Sequence, residues 1–343
     1  MESVRQYGYI NAKVRAMRSG FLSESAFRSM VALKEVQEVY AFLAQTRYRD
    51  RLVVGEEKTP EAMERALFWE DVRQLQMISR FVKSGTKDFM AWVLDRYEVE
   101  KLKMLLRAWH GGPKNSPFLI RDTVVYPYSA DALLSAKTLM DLADVLAGTP
   151  FQNPIKSRAE AYEEKRSVFP VEVAIDQDLF GRFWKMLKRL SRTDRGILRR
   201  LIGLETDLKN LDWIVRYRNY YKLPAAEIGD LLLPKGWRLG TKGIQKILAD
   251  GNTNEALLEL TRGASVPVTG TEQDGLSLNA LEQFLYRMLF AEAKKAFTAF
   301  PLSIGSLAGY VTLMRIESRN IRIIVQAKAS GLPAREIEPF LVV

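Results

Sequence analysis

Apolar residues recur at three- and four-residue steps through long stretches of this chain. Val99, Leu102, Leu105, Leu106 and Trp109 form one stripe; Leu208, Leu211, Ile214 and Val215 form a second; Ile321, Ile324 and Val325 form a third. At 3.6 residues per turn each set lies on one helix face, so each predicts an amphipathic helix. Proline placement agrees. Residues 61–112 and 171–223 contain no proline, and 268–332 contain only Pro301. Proline removes a backbone donor and clashes with the preceding turn, so proline-free stretches rich in Leu, Arg, Glu, Lys and Ala read as helices. Strand signals are sparse. The stretches 122–127 and 266–269 are short and contain proline, and both read as extended loop. The predicted fold class is all-α.

The pattern also repeats. Glu98-Val-Glu-Lys101-Leu102-Lys-Met-Leu105-Leu106 has the arrangement of Asp207-Leu-Lys-Asn210-Leu211-Asp-Trp-Ile214-Val215 and of Glu317-Ser-Arg-Asn320-Ile321-Arg-Ile-Ile324-Val325. Each copy places an acid, a polar residue three positions on, and apolar residues at the next position and at four and five beyond that polar residue. The copies stand 109 and 110 residues apart, at 101, 210 and 320. The second and third continue alike, through Leu223-Pro224-Ala-Ala-Glu227-Ile228 and Leu332-Pro333-Ala-Arg-Glu336-Ile337. Glu64, Glu172 and Glu282, each after an apolar residue, recur upstream in phase. A looser match links Leu43-Ala44-Gln45-Thr46 to Leu146-Ala147-Gly148-Thr149. Three related helical units are expected, at 1–115, 116–228 and 229–343. Each is the size of a small domain, too long for a solenoid repeat of about 20–50 residues.

Composition narrows the chemistry. The chain has 343 residues, no cysteine and one histidine, His110. Thiolate metal sites, disulfides and cysteine nucleophiles are excluded. His110 precedes Gly111-Gly112-Pro113, where a basic side chain near helix C-terminal carbonyls is the ordinary reading. No phosphate loop, G-x-G-x-x-G or H-E-x-x-H motif is present. Polar positions shared by three copies also argue against catalysis, which needs a unique constellation. The expectation is a protein with no catalytic residues, cofactor or metal. The start lacks the apolar core of a signal peptide, and no window approaches the roughly 18 apolar residues that span a bilayer. A cytoplasmic protein without direct membrane insertion is expected.

The net charge of +10 favours an acidic partner. The densest basic run holds Arg182, Lys185, Lys188, Arg189, Arg192, Arg195, Arg199 and Arg200, opposed only by Asp194. Its readings are a solvated helix face, a contact with an acidic partner, or a nucleic-acid contact, the last without a zinc-finger, KH or RRM signature behind it. Asn210 and Asn320 have two readings: hydrogen bonds inside their own units, or three faces about a common axis gripping one partner. The candidate partner-binding residues are therefore Arg182, Lys185, Arg189, Arg192, Arg195, Arg199, Asn210 and Asn320.

Several stretches carry a family resemblance. They are Tyr7-Gly-Tyr9-Ile10-Asn11-Ala12-Lys13-Val14-Arg15, Glu205-Thr-Asp207-Leu-Lys-Asn210-Leu211, and Leu281-Glu282 followed by Ala291-Glu-Ala-Lys294-Lys295 and by Glu317-Ser-Arg-Asn320-Ile321. With the three-unit layout, the chain resembles the C subunits of archaeal and bacterial V-type (A-type) rotary ATPases, the counterparts of the d subunit of eukaryotic vacuolar ATPases. The resemblance implies a funnel-shaped, all-helical protein with three similar domains about a pseudo-threefold axis. It implies a non-catalytic socket on the cytoplasmic face of the membrane rotor ring. That socket receives the central shaft, built from the D and F subunits, and transmits torque for proton or sodium transport. Lys101 departs from the asparagine of the other two copies. A nucleic-acid-binding protein using residues 182–200 is the alternative.

Overall fold

The computed structural model describes residues 2–52, 58–83, 85–112, 120–219, 221–250, 271–272, 275–276, 278–299 and 301–343. The chain opens with α1 (Glu2–Arg18) and the shorter α2 (Glu24–Ala32) and α3 (Val36–Leu43). Two long ones follow, α4 (Pro60–Ser79) and α5 (Gly85–Gly111). Four short helices come next: α6 (Ala130–Leu134), α7 (Leu139–Val145), α8 (Gln152–Lys156) and α9 (Ala159–Lys165). A second long pair is α10 (Phe169–Leu187) and α11 (Arg192–Asn219), followed by α12 (Ala225–Leu231) and α13 (Gly240–Asp250). The third long pair is α14 (Leu278–Ala299) and α15 (Gly305–Ala329), then α16 (Ala334–Ile337). The protein is all-α. Its described β structure is one antiparallel ladder of β1 (Thr271–Glu272) with β2 (Gly275–Leu276).

The three long pairs coincide with the three proline-poor stretches, and Pro301 falls in the turn between α14 and α15. The helix starts are locally encoded. Thr59 caps α4, accepting the Ala62 N–H at 3.2 Å, with Pro60 at the first helical position. Thr138 and Asp141 form a reciprocal capping box on α7. Residues 122–127 are loop without strand, bent at 122 and at 124–126 rather than extended, while 266–269 lie outside the described residues.

The chain divides into two compact units. One comprises Met1–Val31, Leu187–Ile323 and Pro333–Val343; the other comprises Ala32–Met186 and Ile324–Leu332. In the second, α4 packs on α5, and α5 meets α10 through the Trp92 indole, which donates to the Leu179 carbonyl at 2.9 Å. The same indole lies against Phe180 and Phe183. Arg107 forks onto Glu172 at 2.6 and 2.7 Å, and Lys103 pairs with Asp176. In the first unit, α11 packs along α14. Arg200 bonds Glu292 on α14 at 3.1 Å and Arg315 of α15 bonds Glu205 on α11 at 2.9 Å. Within the α14–α15 pair, a Cβ at Gly309 would stand 2.6 Å from the Ala293 carbonyl oxygen, so the two backbones approach as closely as glycine permits.

Among the described side chains the predicted stripes face inward, with Trp109 half-buried. Leu102, Leu211 and Ile321 are buried at the same point of their helices, as are Leu105, Ile214 and Ile324. Each fully buried aliphatic side chain contributes about 1.5–3 kcal/mol relative to exposure.

Candidate functional site

The acids and amides of the repeat perform one task in each copy: they hold backbone. Asp207, fully buried on α11, accepts the N–H groups of Trp237, Arg238 and Leu239 at 3.0, 2.6 and 3.3 Å. Gly236 sits against its carboxylate, where any Cβ would overlap it. One turn on, Asn210 pairs both ways with Leu233: Nδ2 donates to the carbonyl and Oδ1 accepts the N–H, each at 2.8 Å. Asn320 repeats this with Val342, donating at 2.7 Å and accepting at 3.2 Å. Glu317 accepts the N–H of Leu22 at 2.7 Å. In the first copy Glu98 accepts the N–H groups of Val125 and Tyr126 at 2.8 and 3.3 Å and the Tyr128 hydroxyl at 2.6 Å.

Lys101 explains its own departure from asparagine. It is buried, with Nζ 3.4 Å from Glu98 and 4.4 Å from the centre of the Tyr128 ring. In this copy a cation over an aromatic face replaces the two-way amide clamp. Burial and the neighbouring Glu98 together push the Tyr128 hydroxyl up, so it stays a proton donor to that carboxylate. Burial also pushes the Asp207 carboxyl up, to about 6, outweighing the backbone N–H groups that favour its charged form.

The basic run divides by what each side chain meets. Arg182 is engaged within its own unit, bonding Asp178 at 2.8 Å and pairing with Asp95. Arg195 satisfies the carbonyls of Lys188 and Leu190 at 3.0 and 3.1 Å, where α10 ends. Arg199 lies over the Trp237 ring at 5.7 Å. Lys185, Lys188, Arg189 and Arg192 are exposed, and none has an acidic partner among the described residues. Asn210 and Asn320, the remaining candidates, present no accessible surface, because their amides serve Leu233 and Val342.

Sequence reasoning passed over the role of Asp194. Its carboxylate accepts from the Tyr7 hydroxyl at 2.6 Å and from the Ile304 N–H at 2.9 Å, while Ser191 caps its helix. The spacing Ser191-x-x-Asp194 was the available signal, that of a capping box. The single histidine, His110, bonds the Tyr162 hydroxyl at 3.0 Å. Among the described residues no group of acids and histidine is placed to hold a metal ion. No described helix is long and apolar enough to cross a membrane.

This arrangement defines a class: an all-helical protein of repeated long helix pairs whose recurring polar residues fasten neighbouring backbone. The chain belongs to the family described as ATP synthase (C/AC39) subunit, which matches residues 10–340. It is 22% identical over 345 residues to the C subunit of the A-type ATP synthase of Methanocaldococcus jannaschii, covering 98% of this chain and 86% of that one. It is 24% identical over 341 residues to the corresponding protein of Thermococcus kodakarensis, covering 98% and 90%. It is 25% identical over 339 residues to that of a Desulfurococcus species, covering 97% and 89%.

Proposed function

We propose that this chain is a non-catalytic rotor component of an A/V-type ATPase or ATP synthase. It acts as a socket on the cytoplasmic side of the membrane, joining a central shaft of D and F subunits to the membrane rotor ring and carrying torque for proton or sodium transport. In this reading the three units, 1–115, 116–228 and 229–343, form a pseudo-threefold funnel.

The observation that carries the reading is the family match over residues 10–340, in a chain whose repeated polar residues are internal fasteners. A torque-bearing joint needs rigidity, and clamps between buried side chains and backbone supply it. It also needs a surface that docks without a large apolar core, since separable interfaces are no more apolar than ordinary surface. The exposed cations Lys185, Lys188, Arg189 and Arg192 are the candidate contacts, with acidic protein surface as their complement. Purification through a tag on this chain from native membranes tests the proposal. The D and F subunits and the ring protein are expected to co-purify in fixed ratio. Recovery without them, together with salt-sensitive retention on DNA, would replace the socket with a nucleic-acid-binding role.

A further inference from the structure

The first two long helix pairs are each fastened to the short segment that follows. The first pair holds Val125 and Tyr126, just ahead of α6, through Glu98. The second holds Trp237 to Leu239, just ahead of α13, through Asp207. The ends of the second helices follow suit. Trp109 donates to the Ala136 carbonyl at 2.7 Å, and Arg218 donates to those of Ile247 and Leu248 at 2.8 and 2.5 Å.

The third acid, Glu317, reaches backward along the chain. It holds Leu22, just ahead of α2 and 295 residues earlier. Near the end of the same helix, Lys328 feels the charge of Glu38 on α3. The N-terminal segment is also built like the one after the first pair. Thr46 Oγ donates to the Leu43 carbonyl at 2.6 Å and accepts the Tyr48 N–H at 3.3 Å. Thr149 donates to the Leu146 carbonyl at 2.8 Å and accepts the Phe151 N–H at 3.3 Å. Tyr48 and Phe151 are both fully buried.

We infer that the N-terminal segment is the third copy of the segment that follows the other pairs, so that it completes the last helix pair, and that this join is a clasp able to open. The other two joins are held by short covalent continuity as well as by hydrogen bonds. Glu98 and Val125 are 27 residues apart, whereas Leu22 and Glu317 are 295 apart. No short run of chain joins the N-terminal segment to the last helix pair, so side-chain contacts hold it there. Besides Leu22 with Glu317, Tyr7 bonds Asp194, and Asn11 donates to the carbonyls of Pro301 and, at 3.4 Å, Ser303.

The absence of cysteine allows a direct test by spin labels on introduced pairs in the full chain. Ser19→Cys with Arg322→Cys reports across the clasp, and Asp212→Cys with Lys235→Cys across the covalently continuous join. Distances would be measured by pulsed electron resonance, with circular dichroism as a check on folding. The Ser19/Arg322 pair should show a minor longer-distance population that rises several-fold with Glu317→Ala, while the Asp212/Lys235 pair keeps one distance. If Glu317→Ala does not fold, Asn11→Ala should raise the same population. A single unchanged distance at the Ser19/Arg322 pair in a folded variant, or equal broadening of both pairs, would overturn the clasp.

Discussion

Asp207 concentrates the residue-scale physics. Its buried carboxylate holds three consecutive N–H groups, yet burial raises its pKa from 3.8 to about 6. Between those values the folded protein keeps a proton that the unfolded chain has released. The stabilisation from that proton is full below pH 3.8 and is lost as pH rises through 6. At 1.36 kcal/mol per pKa unit the loss is roughly 3 kcal/mol. Asp207→Asn keeps an acceptor oxygen and removes the titration. In urea unfolding from pH 4 to pH 7, the wild type should lose about that much stability relative to the variant. Parallel profiles would place the Asp207 pKa near its ordinary value. The same residue marks how far the sequence spoke. The spacing of Asp207 and Asn210 placed both on one helix face, with internal hydrogen bonds one of two open readings. Their backbone partners at 233 and 237–239 were illegible, because no pattern links a side chain to an N–H some 30 positions away.

At the scale of elements, the three stripes and the proline-free stretches located the long pairs, since period and breaker chemistry act locally. Tertiary proximity decided what they did not. Gly309 lies where α14 and α15 press together. A Cβ there would stand 2.6 Å from the Ala293 oxygen and 2.7 Å from the Phe297 nitrogen, and these backbone atoms have little room to retreat. Gly309→Val should therefore destabilise by about 1–3 kcal/mol, through overpacking, despite valine's smaller conformational entropy in the unfolded chain. Thermal unfolding checks this, and an unchanged or higher Tm would mean the pair separates freely. The basic run shows the same limit. Its helical spacing was legible, but only the folded chain shows that Arg182 meets acids, Arg195 two carbonyls and Arg199 a ring, while Lys188, Arg189 and Arg192 have no acidic partner among the described residues.

For the whole molecule, that sorting separates cations that also hold the fold from cations left over for a partner. Exposed pairs contribute only about 0.2–1 kcal/mol each, so no single cation should be essential, while their summed field governs encounter rate. Reversing Lys188, Arg189 and Arg192 together to glutamate should slow association with the shaft or ring at least tenfold at low salt and leave the melting curve in place. Reversing Arg195 and Arg199 should lower the melting temperature instead. Surface plasmon resonance at two ionic strengths distinguishes these outcomes, and a wild-type rate for the first variant would leave the run a solvated face. The distance from Leu22 to Glu317 bears on a different process, manufacture. A ribosome adding about 5–20 residues per second needs roughly 15–60 s to travel between them. For nearly all of that interval Asn11, buried in the finished fold, waits for the carbonyls of Pro301 and Ser303. Residues made early are thus among the last to be sheltered, so newborn chains stalled short of residue 300 should be the form that chaperones hold and proteases trim.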